Sequence, residues 1–300
     1  MIRSTALALA LALSLGGAAA SASPLLGEGS LPAAAHRSLA ATIRAERAAH
    51  PERFARVHGL VGVQGRFYRT TRSQHPEVTR ELRALGPEAL LPMLDALAFS
   101  EYPRALTPEE RDALELGLLD AVGALRDRRA EPVLRAAFTR LTNSESVRAA
   151  ARALGALAGD GEVATLAAAA REQGPRQAAA LEGLGVSRRA DAARTIVEVL
   201  DASSDPDALA GAARGLAAAG STWATAADGR AVALPAGTAD ALARAFVRAP
   251  AARSELQVAL AATASQETLA ALARARSGAD AETARRLESA ERIVRRSLGR

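Results

Sequence analysis

From about residue 77 onward, apolar residues recur at helical spacing in short runs, and Gly, Pro, Asp or Ser closes each run after about a dozen residues. Val147, Ala150, Ala151, Leu154 and Leu157 fall on one stripe of such a run, while Arg148 and Arg152 take the other side. Gly159-Asp160-Gly161 then breaks the helix, and Val163, Leu166 and Ala170 begin the next stripe. Helix starts are marked too. Thr107-Pro108-Glu109-Glu110 sets a capping Thr before a first-turn Pro, with Glu110 in place for a capping box, and Asp205-Pro206 repeats the cap-then-Pro order. No strand pattern alternates with these helices, which excludes a parallel α/β sheet.

The helices come in pairs with a period. An apolar residue followed by a small one ends alternate helices at Val122-Gly123, Leu154-Gly155, Leu184-Gly185, Leu216-Ala217 and Leu260-Ala261, with Ile293 in the corresponding place of the last helix. These anchors lie 32, 30, 32, 44 and 33 residues apart. The longest step holds an insertion around Trp223–Pro235, and Leu85-Gly86 precedes Val122 by 37 residues because a loop at Ser100–Leu106 intervenes. A helix pair this short cannot bury its apolar stripe alone; stacking neighbours gives a core continuous from unit to unit.

The runs Leu85-Gly86-Pro87-Glu88-Ala89-Leu90-Leu91-Pro92-Met93-Leu94 and Val147-Arg148-Ala149-Ala150-Ala151-Arg152-Ala153-Leu154-Gly155 resemble the two helices of HEAT repeats, especially the short phycobilisome-lyase-like class. The resemblance implies an all-α, right-handed α-solenoid of about six HEAT-like helix pairs over residues 77–300. Armadillo and TPR arrays are the alternatives, and the paired aromatics of the TPR signature are missing. Scaffolding of partners is what such an array implies. Bilin lyase activity is not implied by the repeat.

Ahead of the array, Met1–Ala22 reads as a secretory signal peptide: Arg3 supplies the positive region, Ala6–Leu15 the apolar core and Ala20-Ser21-Ala22 the cleavage motif. Cleavage is expected after Ala22. Residues 23–76 are expected to form a Gly/Ser/Pro-containing linker and an N-terminal helical cap, with helices over Ala33–Ala49 and again after His50-Pro51-Glu52. Within the insertion at 221–235, Asp228-Gly229 predicts a hairpin-like turn carrying the chain's single Trp, Trp223.

Composition narrows the chemistry. The chain is 49% hydrophobic but only 3% aromatic, and about a quarter of it is Ala, so small residues dominate the helix contacts. Cys is absent, which excludes disulfides, thiol nucleophiles and Cys-ligated zinc. All 38 cationic side chains are Arg; with the Ala, Gly and Pro usage, this suggests a GC-rich bacterial gene. Together with the leader it places the protein in the periplasm or outside the cell, not spanning the membrane after cleavage.

Catalytic, cofactor and metal sites are not predicted. His36, His50, His58 and His75 lack the spacing of a ligand set, and no nucleophile elbow, P-loop or dinucleotide fingerprint occurs. Glu109, Glu110, Asp112 and Glu115 read as carboxylates on a capped helix start, where the positive macrodipole end favours them. Arg is more informative. Ten Arg stand against four Glu between His36 and Leu85, and eight against four acids from Arg274 to Arg300, so both ends of the array are basic.

These features predict a non-enzymatic protein-binding scaffold of the bacterial envelope. Arg66, Phe67, Tyr68, Arg69 and Arg72, in a basic aromatic loop, and Trp223 are the candidate partner-binding residues. The alternatives are a binder of anionic envelope polymer or lipid headgroups through the Arg-rich ends, or an enzyme with a dispersed site. Nucleic acid is not expected, because the leader directs the chain out of the cell.

Overall fold

The computed structural model describes residues 24–27, 29–62, 76–100, 106–221 and 232–299. Its α-helices, in chain order, are α1 (Ala33–Ala49), α2 (Pro51–Gly62), α3 (Glu77–Ala84), α4 (Leu90–Ala98), α5 (Pro108–Leu125), α6 (Glu131–Arg140), α7 (Ser144–Leu157) and α8 (Asp160–Arg171). They continue as α9 (Gln177–Ser187), α10 (Ala190–Ala202), α11 (Pro206–Gly220), α12 (Thr238–Arg248), α13 (Arg253–Ala262), α14 (Gln266–Ser277) and α15 (Ala281–Leu298). No β-strand occurs among the described residues.

The written helix signals operate as physics requires. Glu110 N donates to Thr107 Oγ1 at 3.2 Å and Thr107 N donates to Glu110 Oε2 at 3.0 Å, completing the capping box that starts α5. Asn143, Asp205, Ser265 and Asp280 accept from the first turns of α7, α11, α14 and α15 in the same manner. The Gly159-Asp160-Gly161 break falls between α7 and α8 as expected.

From α3 onward the helices form two rows. Odd-numbered helices α3 to α15 pack side by side in an inner row, and even-numbered helices α4 to α14 form an outer row that pairs with it. From α3 to α13, neighbours touch far more extensively within the inner row than within the outer one; at the C-terminal end, α12 and α14 touch more than α13 and α15. One hydrophobic core runs through the whole array, from Leu25 to Val294. The fold is an all-α solenoid of HEAT-like helix pairs, closed at its N-terminal end by α1 and α2, which pack on α4.

The sequence anchors mark where the inner row closes up. A Cβ added to Gly155 of α7 would stand 2.0 Å from the Gly183 carbonyl oxygen of α9, and one added to Gly185 would stand 2.0 Å from the Gly215 oxygen of α11. An added Cβ would stand 2.6 Å from the Ala178 backbone at Gly211 and 2.7 Å from Ala153 Cβ at Gly123. Backbone therefore lies directly on backbone along this row, a spacing that only Gly permits.

Arginine spans the wider gaps of the outer row. Arg135 of α6 reaches Thr165 of α8, and Arg171 of α8 reaches Thr195 and Glu198 of α10 at 3.0 and 3.2 Å. Arg244 of α12 pairs with Asp201 of α10, and Arg274 of α14 with Asp240 of α12, both at 2.7 Å. Other arginines close helix ends: Arg176 donates to the Phe138, Thr139 and Leu141 carbonyls at the C-terminal end of α6, and Arg248 to the Leu200 and Ser203 carbonyls at that of α10.

Two expectations need correction. The segment before α1 is no free linker: Leu25, Leu26 and Leu31 are buried, Leu26 N donates to Leu97 O at 3.1 Å, and Arg111 holds the Leu25 carbonyl at 3.2 Å. Its Gly/Ser/Pro composition concealed three leucines that cover the end of α4. Glu115 does not stand at the helix start but in the middle of α5, where it is buried, 4% exposed.

Candidate functional site

The expected partner-binding residues Arg66, Phe67, Tyr68, Arg69 and Arg72 lie outside the described residues, and so do Trp223 and the turn Asp228-Gly229. The leader, Met1–Ala22, lies outside them as well. What the described structure assembles is a charged strip along the inner row, a clamp at the cap and an exposed basic face on the last helix.

The strip runs across five consecutive inner helices. Arg152 of α7 donates to Asp120 of α5 and to Glu182 of α9, both at 3.1 Å. Arg214 of α11 donates to the other oxygen of Glu182 at 3.2 Å and pairs with Glu255 of α13 at 3.6 Å. Signs alternate along the row, so Arg152, Glu182 and Arg214 each meet an opposite charge on both sides. Burial works against the Arg152 cation, but Asp120 and Glu182 outweigh it and raise its pKa above the usual guanidinium value. Beyond Glu255, one helical turn on, Val258 is 61% exposed, the most exposed large hydrophobic of the described residues.

Glu115, also on α5, has no such partner. Burial pushes its carboxyl up to about 7, although the Ser146 hydroxyl and the Arg111 charge pull the other way; Asp112 adds to the rise.

At the cap, one buried carboxylate gathers three elements. Asp95, in the second half of α4, accepts from Arg47 of α1 and from Ser100 Oγ, and lies 3.3 Å from His58 Nε2 of α2. Burial alone would raise the Asp95 pKa, but hydrogen bonds from His58 and Ser100 and the Arg47 charge hold it below the ordinary carboxylate range. Arg47 also lies over the Phe54 ring at 4.9 Å. Ser, His and Asp meet here, yet Ser100 Oγ approaches the same Nε2 atom at 3.2 Å. A nucleophile relay splits its acid and its nucleophile between the two ring nitrogens. This cluster fastens α1 and α2 to the array.

On α15, Thr283, Leu287, Ala290 and Val294 make the buried seam. Arg285, Arg292 and Arg296 lie on the opposite side at i, i+7 and i+11, exposed and without an ion pair or hydrogen bond. Among the described residues, no group of three or more His, Asp or Glu is placed to hold a metal, and no helix is long and apolar enough to cross a membrane.

Sequence reasoning missed the strip, the Asp95 clamp and buried Glu115. A signal for the first was present: Asp120, Arg152, Glu182 and Arg214 each stand two residues before an anchor, with alternating sign.

No protein-family model matches this chain, and no curated protein sequence is significantly similar to it. Among solved structures, human deoxyhypusine hydroxylase in complex with glycerol is similar over 82% of this chain and 96% of that one, at 16% identity and a TM-score of 0.34. Similarity at that level carries no argument about activity. The class rests on the architecture described above: an α-solenoid of HEAT-like helix pairs.

Proposed function

We propose that the protein is a non-enzymatic scaffold of the bacterial cell envelope that binds a partner protein along the exposed face of the inner row. The observation that carries this reading is the preformed charged strip from Asp120 to Glu255, ending at exposed Val258. Gly-on-backbone packing fixes the helices that carry it, so a partner meets a surface that needs little ordering on binding. Export rests on the leader sequence, Met1–Ala22.

The test uses the mature chain with a photo-crosslinker at Val258, exposed to envelope extract. The reading expects one saturable partner whose capture is lost on Arg152→Ala or Arg214→Ala. Capture indifferent to both substitutions, or turnover of a substrate by the purified protein, overturns it.

A second reading is favoured by the exposed Arg285, Arg292 and Arg296 face: binding of anionic envelope polymer or lipid headgroups at the end of the array. Retention of the mature protein on anionic vesicles or acidic polysaccharide, lost in R285A/R292A/R296A, supports it.

A further inference from the structure

The last helix carries a line of charge that the stack does not use. On α15 the seam Thr283, Leu287, Ala290 and Val294 is buried, while Arg285, Arg292 and Arg296 lie on the opposite side, exposed and unpaired. Seven and eleven residues are close to two and three whole turns, so the three arginines form one line parallel to the helix axis, with steps of about 10 and 6 Å. The acids of the helix leave that line free. Glu282 is held by Arg286 at 2.7 Å, and Glu291 by Arg295 and Arg276 at 2.6 and 3.2 Å. Glu288 stands about a sixth of a turn to one side of Arg285, and on the other side only small Ser289 lies between Arg285 and Arg292.

Folding gives no reason for this arrangement. A terminal unit needs a polar outer face, which mixed charges supply equally well. The macrodipole favours a cation in the last turn, as at Arg296, but not Arg285 in the second turn. Arg292 and Arg296, four residues apart, repel one another. Three unpaired guanidinium groups in line fit a ligand that repeats its negative charge along its own length. Each guanidinium fork takes a carboxylate through two parallel bonds, and a chain that is stiff between its charges loses little freedom in matching a fixed line. A lipid surface fits less well. The line offers no apolar side chain for insertion, because Leu298, 40% exposed, stands more than a third of a turn away from it.

We propose that Arg285, Arg292 and Arg296 bind a linear acidic polysaccharide, gripping its carboxylates in succession along α15. This rests on the second reading above, that the α15 face binds anions, and assigns that face one occupant. Each further carboxylate is engaged from within the complex, so affinity grows with the number of arginines the sugar chain reaches.

Galacturonate is the probe, from the monomer to long oligomers, titrated calorimetrically into the full mature chain, with polyphosphate and phosphatidylglycerol vesicles for comparison. Affinity is expected to climb with oligomer length and to level off once the sugar chain spans all three arginines, about 16 Å from end to end. R285A, R292A and R296A are each expected to weaken binding of the long oligomer about three- to tenfold. R285K/R292K/R296K keeps every charge but loses the forks, and is expected to weaken it at least about tenfold. Binding that does not change with length, or that persists in R285A/R292A/R296A, overturns the proposal. Parental affinity in the Lys variant does so too, since a general positive field would then suffice. If polyphosphate or vesicles bind through the three arginines and galacturonate does not, the anion-binding reading stands and the polysaccharide falls. If none of the three ligands binds in an arginine-dependent way, both fall. The substituted side chains are exposed, so thermal midpoints are expected to stay within about 2 °C of the parent. Should the triple Ala variant not fold, the single variants are read by the same criteria.

Discussion

The two rows of the solenoid solve one packing problem with opposite residues. In the inner row, Gly155, Gly183, Gly185 and Gly215 bring helix backbones together, and charged side chains meet in a strip across that close seam. In the outer row, Arg135, Arg171, Arg244 and Arg274 reach over a wider gap to hydroxyl and carboxylate partners. A stack closer on one side than on the other curves, and the side chain at each contact sets by how much. Arg in this protein is therefore a structural spacer and helix cap as much as a solvated charge, which accounts for a large part of a cationic complement made of Arg alone.

The comparison is most directly broken by one substitution made in both rows. Gly185→Ala is expected to destabilise the array by about 3 kcal/mol, because the new Cβ has no room against the Gly215 oxygen. Gly161→Ala in α8, where the nearest atom outside the helix is 3.8 Å away at Arg135 Nη2, is expected to stabilise by up to about 1 kcal/mol. Urea unfolding of the pair measures both. Equal effects would show that the rows are not packed differently.

Charge burial sharpens the contrast. Burial lifts the folded Glu115 pKa to about 7 from the ordinary glutamate value of 4.5, so the unfolded chain releases this proton first as pH rises. Stability is expected to fall between about pH 4.5 and 7 by up to about 3 kcal/mol and to level off above. Glu115→Gln should remove that slope and leave the protein more stable at pH 8, as read from unfolding midpoints across the pH series.

Removing the centre of the strip with Glu182→Ala leaves Arg152 and Arg214 facing a gap. The glutamate side chain is 10% exposed and both arginines are 31% exposed, so partial screening limits the expected loss to about 2 kcal/mol. Chemical denaturation should also become less cooperative across α7, α9 and α11.

The clamp at the cap responds to acid in the opposite sense from Glu115. The folded Asp95 pKa is lowered, so its contribution is present above the ordinary carboxylate pKa and lost as pH falls through the folded value, below about pH 4. Asp95→Asn is expected to cost about 1 kcal/mol at neutral pH and to flatten the acid limb. Hydrogen exchange in α1 and α2 localises the effect. The smallest effect belongs to the outer row: Asp201→Ala, breaking an exposed pair with Arg244, is expected to change stability by less than about 0.5 kcal/mol.

Much of this architecture is legible from spacing. The α1 boundaries, the α5 capping box, the α7 stripe and the Leu-Gly anchors can all be read from residue order, because caps and helical periodicity are local. The candidate site is less legible. Buried Glu115 is indistinguishable in sequence from Glu109 and Asp112 earlier in the same helix, because which face of a helix is covered depends on the next repeat.

By itself, then, the residue order determined that this chain is helical, that its helices pair with a period of 30 to 32 residues through the middle of the array, and that small residues line their contacts. Tertiary structure alone decided which charges neutralise one another and which carboxyl is buried deeply enough to titrate high. The reason is one of range. Helix propensity and capping act within a turn or two, whereas burial and ion pairing depend on residues about thirty positions apart that meet only when the stack closes.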